Sequence, residues 1–305
     1  MVFDHPDVMM IYLVDASVYV FRAWFSIPDK MTGPHGHPVN ALYGYTRFLG
    51  DLLERSQPQK IAVAFDISLT SSYRNEIYPE YKANREPAPE ELKRQFAACR
   101  EVTEALGVPQ FASERYEADD LIGGMASFMR DKGSTSVIVT RDKDLAQLLR
   151  EGDIYWDYAG DKRFAYEEIE ENFGVRPERI ADFLALTGDK VDNIPGVPGI
   201  GKKTAALLLK HFASLDELYA GLDAVASLKI RGAKSIAAKL TEHRETAYLA
   251  RKLTRIPEDV GIRFREKEFH RMPPDMERLA MFFEEHGLGR TLREQANRIA
   301  ATFDR

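Results

Sequence analysis

Cysteine is nearly absent: of 305 residues, Cys99 alone is one. That excludes an intramolecular disulfide and a Cys-rich zinc site, and it fits a reducing compartment. No apolar run approaches the ~18 residues of a membrane span. Met1 to Asp7 carry acids rather than a basic start followed by an apolar stretch, so no secretory signal is expected. Internal repeats and low-complexity segments are missing too. Positive charge is not in excess. A formal net charge of -6 argues against nucleic-acid binding over the whole surface but leaves room for a local basic patch. What is present, 44% hydrophobic and 30% charged residues, suits a soluble globular chain with a real core. Disorder and collagen-like structure are excluded, and the length allows two domains.

Three short apolar runs read as buried parallel strands: Met10 to Val14, Ile61 to Phe65 and Val137 to Thr140. Helical spacing of apolar residues appears at Tyr43 to Leu53, at Phe96 to Leu106 and after Asp120, with Gly133 as a stop. Alternating strands and helices predict an α/β domain over residues 1–170, a mainly parallel sheet flanked by helices. Beyond Tyr166 the pattern is helical, with one further strand expected at Gly261 to Phe264. Ser214 and Glu217 read as a capping box. Residues 171–265 are therefore expected to form a small helical domain, and 266–305 a tail with one amphipathic helix, Met276 to His286. Residues 73–94 are polar and carry Pro79, Pro87 and Pro89. So long a connection suggests a functional lid or a disordered loop.

Each of the three strands runs into an acid, at Asp15, Asp66 and Asp142, with Asp144 close behind. In open α/β sheets, ligands bind beyond the carboxyl ends of the strands. Glu117, Asp119 and Asp120 open the following helix, which alone could be helix-dipole complementation. Asp189 and Asp192 sit in a Gly- and Pro-rich loop. Single acids at strand ends are often turn residues, and one Asp-x-Asp is a weak signal. If all nine meet, their repulsion calls for cations. An oxygen-only donor set favours Mg²⁺ or Mn²⁺, two of which form a clamp for phosphodiester cleavage.

Ile194 to Ala205 (IPGVPGIGKKTA) reads as a phosphate-binding hairpin. Gly196, Gly199 and Gly201 allow close approach, a helix starts near Lys202, and Lys202 and Lys203 add charge. The pattern resembles a helix-hairpin-helix, which grips duplex backbone without reading sequence; a plain tight turn is the alternative. From Lys229 to Arg255, eight basic residues (Lys234 among them) face only Glu242 and Glu245, a local surplus of 8 − 2 = +6. Beside the hairpin, this suits a duplex-binding surface as well as a solvated helix face.

Taken together, LVDASVYVFRAW from Leu13, HPVNALYGYTRFL from His37, AVAFD, YPEYKANRE from Tyr78, YEADDLIG, VTRDKDLAQLL and LTGDKVDNIPGVPGIGKKTA resemble the 5′-nuclease (flap endonuclease) family. Within it they are most similar to the 5′→3′ exonuclease domain of bacterial DNA polymerase I. The resemblance covers about residues 10–300. It implies a PIN-like nuclease fold with a helix-hairpin-helix subdomain. The implied activity is 5′→3′ exonuclease and 5′-flap cleavage of DNA in replication and repair. One Mg²⁺ (Mn²⁺ substituting) falls to Asp15, Asp66, Glu117, Asp119 and Asp120, and a second to Asp142, Asp144, Asp189 and Asp192. K⁺ at the hairpin is also implied.

The YKANR string matches the family's arch over the active site. Lys82 is then expected at the scissile phosphate with Arg85 beside it, and Arg74, Tyr81 and Lys234 as further DNA contacts. A monomer in the cytoplasm, at the bacterial nucleoid, acting on flaps, nicks and 5′ ends with a polymerase in trans, completes the expectation. A stand-alone enzyme and a part of a polymerase both remain open. An RNA-cleaving nuclease of the same acid-lined type is disfavoured by the hairpin and arch strings. A non-catalytic binder of branched DNA gains nothing from nine clustered acids.

Overall fold

The computed structural model describes residues 9–67 and 72–303; the acidic N-terminal stretch Met1 to Asp7 lies outside them. The chain runs β1 (Met10–Asp15), α1 (Ala16–Ser26), α2 (Asn40–Ser56), β2 (Lys60–Asp66), α3 (Tyr73–Ile77), α4 (Glu90–Ala105), β3 (Gln110–Ser113), α5 (Ala118–Arg130), β4 (Thr135–Val139), β5 (Ile154–Asp157) and β6 (Lys162–Ala165). The helical part follows: α6 (Ile169–Phe173), α7 (Ile180–Thr187), α8 (Lys202–His211), α9 (Leu215–Ala220), α10 (Leu222–Ala226), α11 (Ala233–Glu242) and α12 (Arg244–Thr254). Last come α13 (Met276–Glu285) and α14 (Arg290–Ala300).

The strands form a sheet of order β3-β2-β1-β4-β5-β6, parallel except for β6. Successive strand side chains point to opposite faces. Ile11, Leu13, Ala62, Ala64 and Ile138 face α5 and the helical part. Val14, Ile61, Val63, Phe65, Val137 and Val139 face α1, α2, α4 and the C-terminal helices. Burial on both faces is why these strands read as unbroken apolar runs. The order reverses at β1, where the chain, having moved outward through β2 to β3, crosses back to β4. Ligand crevices of open α/β sheets lie at such a point.

Several expectations need correction. Residues 261–264 form no strand; Phe264 instead joins an aromatic cluster with Phe111, Phe128 and Phe269. β3, β5 and β6 were not foreseen. Described residues 266–303 carry two α-helices rather than one, and Phe282, Phe283, Leu292 and Ile299 fill the core beside α2 and α4. The stretch leading there is stitched to the sheet end: Arg271 N–H donates to Gln59 O, Met272 N–H to Gly107 O and Asp275 N–H to Ala105 O. The predicted capping box is half formed. Ser214 Oγ accepts from Glu217 N–H at 3.1 Å, whereas Glu217 accepts from Ala213 N–H.

Gly107 marks this junction. Its φ is +73°, and a Cβ there would lie 2.0 Å from the Met272 carbonyl oxygen. Gly133, at φ +80°, has open space around it. Gly133→Ala is expected to lose only the roughly 1–2 kcal/mol of a left-handed alanine. Gly107→Ala adds a backbone clash of the 1–3 kcal/mol size of overpacking and should lose about twice as much. Denaturant unfolding of the two variants checks this; equal losses would mean that the junction yields freely.

Candidate active site

The acids reach the sheet edge by local rules. β1 ends at Asp15, which caps α1 by accepting from Val18 N–H at 3.4 Å. β2 ends at Asp66, which accepts from Ala118 N–H at 2.8 Å and from Ser17 Oγ at 2.5 Å. After β4, Thr140 Oγ1 donates to Asp15 at 2.9 Å and accepts from Asp142 N–H at 2.9 Å. Asp142 in turn caps a short 3₁₀ helix, Lys143–Leu148, accepting from Asp144 N–H at 2.9 Å. Ser17 and Thr140, which orient these carboxylates, were missed by the sequence reading. Their signal was a hydroxyl within two residues of a strand-end acid.

Asp15, Asp66, Glu117, Asp119, Asp142 and Asp192 line one open cavity of about 620 Å³, together with Lys82, Arg85, Arg22 and a Phe25 that is 80% exposed. Asp144 and Asp189 line a neighbouring cavity of about 710 Å³ with Lys202 and Lys203. Asp120 joins neither. It is 0% exposed, and its two oxygens accept from Arg74 Nη2 and Nη1 at 2.7 and 2.8 Å. Its place in a metal set is therefore corrected: it is the counter-ion of a buried arginine.

Arg74 is corrected with it. Its side chain is 3% exposed, and the guanidinium also donates to Glu117 at 3.2 Å and through Nε reaches the Leu253 carbonyl at 2.7 Å. It has no face for DNA. Tyr81, expected as a DNA contact, is buried as well; its hydroxyl lies 3.0 Å from a Glu117 oxygen and 3.2 Å from an Asp192 oxygen. Lys82 Nζ lies 2.6 Å from Glu117 Oε1 and 3.9 Å from Asp192, and Arg85 is paired with Asp192. Both cations thus stand at the acid cavity. The stretch 73–94, expected to arch over the site, consists of α3, a chain of turns and the first turn of α4, with Lys82 at the acid cavity.

The hairpin sits between α7 and α8. Gly201 caps α8 with nothing near it, and Lys202 and Lys203 are exposed on the first turn. Gly199, at φ +80°, has Lys239 Nζ where a Cβ would stand. Gly196 is different. A Cβ there would meet the Thr187–Gly188 backbone at 2.4 Å, so it is a packing glycine rather than a contact surface. Lys234 is exposed on the first turn of α11. Arg251, counted in the basic surplus, is paired with Asp216 at 2.8 Å.

Burial, then the charge of Asp66, pushes the Asp15 carboxyl up to about 7. Asp119 is raised well above the carboxylate range by burial and then by Asp142, Asp15 and Asp66. Burial would raise Glu117 too, but Lys82 and Arg74 hold it below its ordinary value. Among the described residues, no three acids close into a ready-made cage. The donors nonetheless fit a hard divalent cation: oxygen only, mutually repelling, and open to water that would complete the shell. Unfolded, Asp15 titrates near 3.8; folded, near 7. From about pH 4 upward the unfolded chain gives up this proton first, so stability falls until about pH 7. The melting temperature in EDTA is therefore expected to drop between pH 5 and 8, and Asp15→Asn to flatten that drop. A metal-free melting temperature independent of pH in this window would contradict the crowding.

The sequence model of the 5′-3′ exonuclease N-terminal resolvase-like domain matches residues 10–174, and that of the 5′-3′ exonuclease C-terminal SAM fold matches residues 175–277. The chain is 34% identical to the 5′-3′ exonuclease of Aquifex aeolicus over 93% of its own length and 94% of that protein. It is 40% identical to DNA polymerase I of Pseudomonas aeruginosa over 90% of its own length, but it spans only 30% of that relative. In fold it is similar to the bacteriophage T5 D15 protein co-crystallised with metal ions, with a TM-score of 0.66 at 19% identity, covering 96% of this chain and 98% of that one. It also resembles the catalytic core of Rad2 in complex with DNA substrate, with a TM-score of 0.62 at 15% identity, covering 98% and 93%. The acids at the sheet edge, the hairpin behind them and these matches lead to one assignment: the chain belongs to the 5′-3′ exonuclease family.

Proposed function

We propose that this chain is a metal-dependent 5′→3′ exonuclease and structure-specific 5′-flap endonuclease that hydrolyses DNA in primer processing and repair. The observation that carries it is the cavity where Asp15, Asp66, Asp119 and Asp142 crowd together beneath Lys82. Asp15, Asp66, Glu117 and Asp119 would hold one Mg²⁺, with Mn²⁺ as a substitute. Asp142, Asp144, Asp189 and Asp192 would hold a second, partly through water. Such a pair supplies an activated water and offsets charge on the leaving oxygen.

The protein's own groups do the rest. Lys82 exchanges Glu117 for the scissile phosphate, where its amine meets the charge that develops in the transition state. Arg85 leaves Asp192 for the same strand. Tyr81 and Arg74 hold Glu117 in place meanwhile. Gly199, Gly201, Lys202, Lys203 and Lys234 offer free amides and amines to duplex backbone, and K⁺ at the hairpin belongs to the same reading. The division of labour is 1–170 for cutting, 171–265 for gripping, and 266–305 for closing the core. The partners are DNA with flaps, nicks or 5′ ends, and a polymerase acting in trans. The enzyme works as a cytoplasmic, nucleoid-bound monomer.

Cleavage of a labelled 5′-flap duplex should vanish in EDTA and return with Mg²⁺. Asp142→Asn should slow single-turnover cleavage by more than about 100-fold, the scale of one lost transition-state contact, while DNA binding persists. Full cleavage in excess chelator would overturn the reading.

Lys202→Ala with Lys203→Ala should weaken binding to duplexes of any sequence and flatten the salt dependence by about 0.9 in log–log slope per lost phosphate contact. Affinities at several salt concentrations, on two unrelated duplexes bearing the same flap, check this. An unchanged slope would make the hairpin a plain turn.

A further inference from the structure

Two asparagines outside the acid set tie the segment carrying Lys82 to the loop carrying Asp189 and Asp192. Asn84 Nδ2 donates to the Lys190 carbonyl at 3.0 Å, and Asn193 Nδ2 donates to the Glu80 carbonyl at 2.7 Å. The bonds run in opposite senses, each segment lending a side-chain amide to the other's backbone. Between them the Lys82 N–H donates to the Asp192 carbonyl at 3.0 Å. Neither asparagine lines the acid cavity.

Backbone conformation gives the arrangement its purpose. Lys82 has φ +57° and Asn193 has φ +55°. Asparagine tolerates the left-handed region; lysine is uncommon there. A residue stays in such a conformation only where its surroundings over-determine it. Here the surroundings are the three cross-segment bonds, with Asn75 Nδ2 holding the Tyr81 carbonyl at 2.9 Å on the other side. Held this way, the Lys82 side chain is only 14% exposed and its amine reaches the cavity. A relaxed Lys82 would leave the backbone in another direction.

We infer that Asn84 and Asn193 are positioning residues, a reciprocal amide clamp that sets the Lys82 backbone and, through it, the amine over the acid cavity. This rests on the reading of Lys82 as the amine aimed at the scissile phosphate. The clamp also joins two segments more than a hundred residues apart in sequence, so the lysine and the Asp189–Asp192 loop are set relative to one another rather than separately.

The test uses the full chain with Mg²⁺ and a 5′-flap duplex at saturating concentration. The variants are Asn84→Asp, which keeps shape but removes the donor; Asn84→Ala; and Asn193→Gly, which keeps the left-handed backbone. Each should slow the single-turnover rate on the order of 10–100-fold, the scale of an ångström-sized misplacement, with DNA affinity little changed. Combined with Lys82→Ala, none should slow it further, because there is no amine left to place. Hydrogen exchange of the free protein gives a readout independent of activity: the Lys82 amide should exchange at least tenfold faster in each variant, at an unchanged melting temperature.

Unchanged exchange would overturn the clamp. Faster exchange with a wild-type rate would overturn its positioning role, as would losses that persist undiminished in the Lys82→Ala background. A full rate in Lys82→Ala alone would remove the role given to that amine, and the positioning role with it, while exchange would still show whether the clamp exists.

Discussion

Carboxylates brought together at one edge of a sheet repel, and burial strengthens the repulsion. In this protein Asp15, Asp66, Asp119 and Asp142 are so placed, and burial together with their mutual charge raises the titration of Asp15 and Asp119. The tension is not spread evenly. Arg74 takes up Asp120 and part of Glu117, and Lys82 takes up the rest of Glu117. What is left without a cation faces the cavity. The fold thus separates acids that serve its own cohesion from acids that need something from solution.

The scaffold must resist that repulsion, and it does so by being covered on both faces. α5 and the helical part close one side of the sheet; α1, α2, α4 and the C-terminal pair α13 and α14 close the other. The strand-end acids cannot drift apart without moving strands whose side chains are packed above and below. Close packing makes such movement costly. The hydroxyls of Ser17 and Thr140 work at a finer scale, turning carboxylate oxygens that the strands have already brought near.

How much of this could be read from residues depended on where each element lies. β1, β2 and β4 are central and buried on both faces, so their apolar runs were plain and the acids ending them were in view. β3 (QFAS) is a half-buried edge strand, and β5 and β6 have four residues each. None carries a pattern strong enough to stand out. Gly261 to Phe264 looked like a strand, but of the four only Phe264 is buried, against aromatic rings, while Ile262 is exposed. Arg74 and Tyr81 were misread for another reason. Their types suit DNA, and only tertiary contact with Asp120 and Glu117, more than thirty residues away in sequence, turns them inward. The hairpin was legible as a whole, yet not the division between Gly201, open to a ligand, and Gly196, closed by Thr187 and Gly188.

Arg74 has one more partner: its Nε bonds the carbonyl of Leu253, near the end of α12. A single side chain therefore holds Asp120 at the head of α5 and the last turn of the helical part at once, in a setting from which water is nearly excluded. Swinging the helices that carry Lys202, Lys203 and Lys234 away from the sheet would leave that guanidinium buried and under-bonded. The two halves are consequently tied together at that one buried guanidinium. On the function proposed above, a duplex seated on the hairpin would lie at a set span from the strand-end acids, so the place of a cut would be measured from the grip.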